Sequence, residues 1–251
     1  MTAILLNEYQ FGDMIARYFI DTETKNVELI LVPVGIKSVD WGEKKQAVDS
    51  LVQLKIVRDS YLGAYAGGGT MRQGESVSLL KYKDQRFESK DDREEVITVL
   101  EDDRGYEVEH YLYWYKNSQS VNVFTKFYNN GKETVTLEML SSFSLGGITP
   151  FVEGAAYDLL NIHRLRSVWS MEGRLETKTI EELQLEPSWA GHGVRCERFG
   201  QVGSMAVNRY FPFLAVEDVE NEVLWGAQLA HNASWQMEIF ERMTDYRFLE
   251  A

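Results

Sequence analysis

Apolar side chains recur at every second residue along much of this chain, and no 3.6-residue run is long enough for a major helix. Residues 107–115 show the pattern best: Val108, His110, Leu112 and Trp114 would line one face of a strand, and Glu109, Tyr111, Tyr113 and Tyr115 the other. Successive strand side chains point to opposite faces, so such a segment buries one side and wets the other. Many segments of this kind with turn signals at short spacing predict a large antiparallel all-β sandwich. The strand–helix–strand rhythm of a parallel barrel is missing.

Along the chain, residues 14–20 and 27–33 read as a hairpin and 52–57 as a strand, while 77–82 resumes a strand after a glycine-rich loop. The charged run 90–95 reads as a solvated turn. Residues 121–128 and 134–143 alternate on either side of Asn129-Asn130-Gly131-Lys132, which predicts a hairpin between them, since Asn-Gly is a strong two-residue turn signal. Residues 163–172 form a further strand turning at Gly173, and 223–229 alternates before a partner strand carrying Trp235, Met237 and Ile239. Residues 155–160 and 179–183 have room for short helical turns. Residues 186–218 mix glycines, prolines, aromatics, Arg and acids, as expected of a packed corner whose arginines pair with its glutamates.

The 251 residues, 44% apolar, suit one large domain whose core needs no staple. A net charge of −13 argues against nucleic acid or an anionic membrane as partner. Cys196 is the single cysteine, so no intrachain disulfide can form, which fits a reducing compartment. The N-terminal residues lack the basic-then-apolar pattern of a signal peptide, and no stretch reaches the ~18 apolar residues of a membrane span. A cytoplasmic protein is expected.

Several chemistries fail on residue type. A nucleophile elbow is missing, and Gly67-Gly68-Gly69 lacks the Gly-Lys-Ser/Thr ending of a phosphate loop. His110, His163, His192 and His231 lie far apart without paired metal spacing, so neither a metal nor another cofactor is expected. A lone cysteine reads as a packing residue. Retaining glycoside hydrolysis needs two carboxyls about 5 Å apart. Glu172, Glu176, Glu186, Glu197 and Glu217 are candidates, and their closeness in sequence to Arg174, Arg195 or Arg198, or their place in an exposed-looking turn, makes ion pairing the simpler expectation.

Three segments carry a resemblance. Residues 163–174 (HRLRSVWSMEGR), 185–205 (LEPSWAGHGVRCERFGQVGSM) and 225–239 (WGAQLAHNASWQMEI) resemble successive segments of glycoside hydrolase family 36 α-galactosidases. The resemblance implies an N-terminal β-supersandwich of the galactose mutarotase-like kind, spanning residues 1–251 as a single domain and truncated before the (β/α)8 catalytic barrel. The parent enzyme would hydrolyse terminal α-galactosyl bonds of the melibiose or raffinose type with retention. The family's catalytic aspartates lie on barrel strands, so no catalytic residue is carried over and this segment alone is expected to be inactive. Its implied partners are the barrel of the same chain, the α-galactoside held there, and further copies in a homo-oligomer. A sheet cut short would show an unpaired edge and self-associate.

In tetrameric family members, a loop of this domain carries an aromatic and an Arg to a sugar pocket built by a barrel, and residues 65–72 resemble it. Tyr65 and Arg72 are the implied sugar contacts, although Thr70-Met71-Arg72 stands where the family often has Asp-Tyr/Phe-Arg. An aromatic face stacks on a sugar ring and a guanidinium donates a planar fork of hydrogen bonds. Arg72→Ala should lower the parent's efficiency about ten- to a hundredfold and leave the thermal midpoint almost unmoved, because a surface loop carries little core. Two alternatives remain open. A mutarotase-like aldose epimerase would need His163 or His192 opposite Glu186 or Glu197. A free-standing carbohydrate-binding module would expose aromatics such as Trp189, Tyr210 and Phe211.

Overall fold

Residues 3–36, 43–44, 48–60, 72, 74–152, 156–185, 195–241 and 249–250 are described by the structure, a computed structural model. It is all-β, and every strand pairing among the described residues is antiparallel. The described residues divide into two compact units, one before and one after the Ile148–Thr149 junction.

In the first unit, β1 (Ala3–Phe11), β2 (Met14–Asp21), β3 (Val27–Pro33) and β4 (Glu43–Lys44) form a sheet in the order β3-β2-β1-β4. A second sheet is a plain meander of β6 (Lys81–Ser89), β7 (Arg93–Glu101), β8 (Tyr106–Tyr115) and β9 (Val121–Asn129). The alternation in β8 decides its orientation. Val108, His110 and Leu112 are buried and pair with Leu100, Thr98 and Val96 of β7. This inner face meets β1: Tyr9 stacks on Phe87 at 5.4 Å, Phe11 lies 6.4 Å from Trp114, and Asn7 Nδ2 donates to Gln85 Oε1 at 2.7 Å. Two sheets packed face to face make a β-sandwich. The meander's outer face carries Tyr111 stacked on Phe124 at 4.5 Å, with the Lys126 ammonium 4.3 Å from the Tyr111 ring. Ile97 of β7, which pairs with Tyr111, is buried on that side too.

The Asn-Gly hairpin is the main departure from expectation. β10 (Leu137–Leu140) does not return along β9; it pairs with β5 (Leu54–Ile56), some eighty residues earlier, in a separate two-stranded sheet. A type I′ turn needs positive φ at both central residues, and neither Asn130 nor Gly131 has it. The tip is instead tied to the neighbouring β7–β8 turn, with Asn130 N donating to Gly105 O at 2.9 Å. A Cβ on Gly131 would lie 2.7 Å from Arg104 O, so glycine here serves a close backbone approach.

Residues 77–82 also differ. Glu75–Leu79 is a short helix, α1, and the strand begins only at Lys81. Val77 and Leu80 are buried while Leu79 faces out, so a three-residue spacing overrides the alternation. The turn expected at 90–95 ends sooner, because Glu95 is buried in β7 by its pairs with Lys90 (2.5 Å) and Arg93 (2.9 Å).

In the second unit, β11 (Leu160–Ser167), β12 (Arg174–Thr179), β14 (Arg209–Asp218) and β15 (Val223–Gln228) form a sheet in the order β12-β11-β14-β15. β13 (Arg195–Gln201), β16 (Trp235–Glu241) and β17 (Leu249–Glu250) form the other. Phe199 joins the two, 5.2 Å from Tyr210 and 5.9 Å from Trp235. Near residue 155, where a helical turn was expected, a tight turn bonded from Leu159 N to Ala156 O leads straight into β11. Residues 179–183 do make one helical bond, Leu183 N to Thr179 O at 3.2 Å.

Candidate functional site

Of the two predicted sugar contacts, Tyr65 lies outside the described residues. Arg72 is placed in the interior of the first unit, 5% exposed, where Nη2 donates to Asp49 Oδ1. Asp49 is itself buried. Its segment is held against β3 by Leu51 N donating to Val27 O at 2.7 Å, and against the chain before Phe143 by Gln53 N donating to Ser141 Oγ at 2.8 Å. The expectation that Arg72 sits on a surface loop is therefore corrected. Separating a buried ion pair leaves a charge without its partner, which costs about 3–5 kcal/mol.

The predicted carboxylates converge elsewhere. Arg164 of β11, 4% exposed, donates through Nε to Glu176 Oε2 at 2.9 Å and through Nη1 to Glu197 Oε1 at 2.5 Å. Its guanidinium lies 5.3 Å from the Phe199 ring and 5.1 Å from that of Tyr210. Arg166 covers Tyr210 at 4.6 Å and donates to its hydroxyl. Burial pulls the Arg164 pKa down, but the bond to Glu197 and the nearby Tyr210 and Glu176 outweigh it and raise it overall. Ion pairing was expected and is found, with different partners. The sequence offered the adjacent Arg174, Arg195 and Arg198, whereas the fold supplies Arg164 from another strand. What marked Arg164 out was its place in a strand whose preceding even-numbered positions, Leu160 and Ile162, are buried.

This arrangement bears on chemistry. Both carboxylates are turned to one guanidinium, which is the geometry of a clamp holding β11, β12 and β13 together. A glycosidase dyad needs one carboxyl free to donate a proton and another free to attack. Glu172 accepts from Ser170 N at 3.0 Å in the β11–β12 turn, and Glu186 lies outside the described residues.

Glu217 is engaged by His163, whose Nε2 lies 3.0 Å from Glu217 Oε2 and whose Nδ1 lies 3.0 Å from Thr177 Oγ1. The epimerase alternative sets His163 or His192 opposite Glu186 or Glu197, whereas His163 is bonded to Glu217 and Thr177 and Glu197 to Arg164. His192 lies outside the described residues. Cys196 is half-buried, and its thiol pKa is raised by that burial and by Glu238, which makes it a poor nucleophile. No group of His, Cys, Asp and Glu among the described residues could hold a metal ion. Trp189 lies outside the described residues, and Tyr210 and Phe211 are half-buried. Among the described residues the aromatic most open to solvent is Trp169, at 93% exposure, with Phe87, Tyr115 and Tyr128 exposed to a lesser degree.

No protein-family model matches this sequence, and no curated protein matches it. Solved structures do match. The galactosidase domain of the α-galactosidase–sucrose kinase AgaSK superposes with a TM-score of 0.67 at 11% identity, covering 97% of this chain and 36% of that one. An AgaA variant from Geobacillus stearothermophilus, a glycoside hydrolase family 36 α-galactosidase in complex with 1-deoxygalactonojirimycin, superposes at 0.63 and 12% identity, covering 100% and 36%. A further variant of that enzyme, in complex with raffinose, gives 0.62 at 13%, again covering 100% and 36%. This chain has the fold of one part of those α-galactosidases. It spans about 36% of their length. No helix among the described residues is long and apolar enough to cross a membrane.

Proposed function

We propose that this chain is the N-terminal, non-catalytic β-supersandwich of a retaining α-galactosidase of the glycoside hydrolase family 36 kind. Its role is to frame the catalytic barrel and to mediate assembly, and the whole enzyme removes terminal α-galactosyl groups from melibiose- or raffinose-type sugars in the cytoplasm. The observation that carries this reading is the superposition of the entire chain on about 36% of enzymes of that kind. The local chemistry supports it: the second unit's gathered glutamates are taken up by Arg164, which leaves the hydrolytic pair to be supplied by another part of the enzyme. Loss of either catalytic carboxyl costs several powers of ten in rate, and loss of both removes the transition-state site.

The test is release of a chromogenic group from an aryl α-galactoside by the purified chain. The expected rate equals that of buffer. Turnover above buffer that disappears on Glu176→Gln or Glu197→Gln would overturn the reading and put the active site in the sandwich.

A further inference from the structure

The sequence holds one Asn-Gly pair, Asn130-Gly131, and the fold does not use it as the hairpin turn it resembles. Such a pair can react with itself. The main-chain nitrogen of the glycine can attack the carboxamide carbon of the asparagine, because no Cβ stands over it and the chain there rotates easily. A new C–N bond forms, the Cγ–Nδ2 bond breaks, and the amino group leaves as ammonia with the Gly131 amide proton. A cyclic imide remains. Water then opens it at either carbonyl, giving an aspartate, or an isoaspartate whose main chain runs through the former side chain. Water is the sole co-reactant.

At this tip the attacking nitrogen is occupied. Gly131 N donates to Asn129 Oδ1 at 3.0 Å, and Asn129 is fixed in turn through Nδ2, which donates to Glu133 O at 2.8 Å. Asn130 N donates to Gly105 O at 2.9 Å. The β7–β8 turn lies against the same backbone: a Cβ on Gly131 would lie 2.7 Å from Arg104 O, and one on Gly105 would lie 3.0 Å from Gly131 N. Ring closure needs the Gly131 amide proton removed and the Asn130 main chain able to rotate until its own carboxamide reaches the nitrogen. The bond to Asn129 opposes the first, and the contact with Arg104 and Gly105 opposes the second. Asn130 itself is exposed, so water reaches its carboxamide.

We infer that Asn130 is a site of spontaneous deamidation gated by closure of this tip, with Asn129 as the positioning residue that keeps it closed. The reaction runs from the open tip, so its rate is that of the unfolded chain reduced to the fraction of time the tip stands open. Opening breaks the bonds from Asn130 to Gly105 and from Gly131 to Asn129, so closure should slow the reaction about tenfold or more. The isoaspartate does not fit the closed tip. It lengthens the main chain between residues 130 and 131 by a carbon, where the approach to Arg104 leaves no room for one. Modification thus turns a tip that opens and recloses into one that stays open, and adds a negative charge to a chain already at −13.

Peptide mapping by mass spectrometry, on chain held at mildly alkaline pH over weeks, reads the acid formed at residue 130 and its isoaspartyl share. Chain unfolded in urea at the same pH should react about ten times faster or more than folded chain. Asn129→Ala, which releases Gly131 N, and Gly105→Ala, whose Cβ pushes the two turns apart, should each raise the folded rate and leave the rate in urea unchanged. Gly131→Ala should slow the reaction in urea, because a Cβ then shields the nitrogen. Melting curves on the same samples give the fraction unfolded, and the gain in rate should exceed what that fraction supplies. A folded chain that reacts as fast as the chain in urea overturns the inference. So do variants that react no faster than wild type when folded, or whose gain is accounted for by global unfolding.

Discussion

His110 should make this fold sensitive to acid through a single side chain. It lies on the inner face of β8, fully buried between Thr98 of β7 and Thr125 of β9. Neither ring nitrogen has a hydrogen-bond partner among the described residues. Burial, opposed only by its own main chain, lowers its pKa from 6.5 to about 3. The unfolded chain therefore binds a proton at this site below pH 6.5 that the folded chain refuses until about pH 3. Stability rises with pH wherever the unfolded state holds more protons. The contribution of His110 is thus fully present above pH 6.5 and lost as pH falls toward 3. At about 1.4 kcal/mol per pH unit, the loss is about 2 kcal/mol at pH 5 and about 5 kcal/mol across the window. His110→Leu removes the titration and replaces two unbonded nitrogens with apolar atoms of similar bulk, a change near neutral at pH 7. The assay is urea unfolding of both proteins from pH 7.5 to 4. The difference between them isolates His110 from the carboxylates that titrate in both. Parallel loss of stability by wild type and variant would refute the reasoning.

Arg72→Ala should destabilise the chain by about 3–5 kcal/mol in urea unfolding, because it leaves Asp49 buried without its guanidinium; an unchanged midpoint would return Arg72 to a surface role. Gly200→Ala should lower the thermal midpoint at a cost of about 1–3 kcal/mol, since a Cβ there would lie 2.2 Å from Trp235 O and force β13 off β16. Arg164→Met should cost about 1.5–3 kcal/mol by removing the guanidinium bonded to the part-exposed Glu176 and Glu197, and additional substitution of both glutamates by Gln should recover part of it.

Where one face of a strand is buried, the sequence alone was enough to place it. β8 is the clearest example, with Val108, His110 and Leu112 buried as the alternation requires. The β2–β3 hairpin likewise follows from two apolar runs and a polar link. Pairings over long distances were not legible. Nothing local in residues 134–143 indicates β5 as partner, and Asn130-Gly131 points to the wrong one. The candidate site divides in the same way. That the glutamates would be ion-paired could be read from composition, but that Arg164 would hold two of them depends on β11 lying beside β12 and near β13. Burial of Arg72 depends on Asp49, twenty-three residues earlier.

The pairing of β5 with β10 also sets an order of events during synthesis. β5 has only three residues, and the strand it needs ends at Leu140, after the whole β6–β9 meander has emerged. At roughly 5–20 residues per second, the segment around Leu54 waits several seconds on the ribosome for that strand. The meander needs only neighbours in sequence and can close first, whereas the loop from β5 to β10 must be closed against its entropy before it gains a contact. Leu54 and Ile56, both buried in the finished unit, lack that partner strand through the interval, whereas Leu51 can already bond to Val27 of β3. The three residues of β5 therefore depend on a partner that arrives late, and a chaperone that covers them would act in that wait.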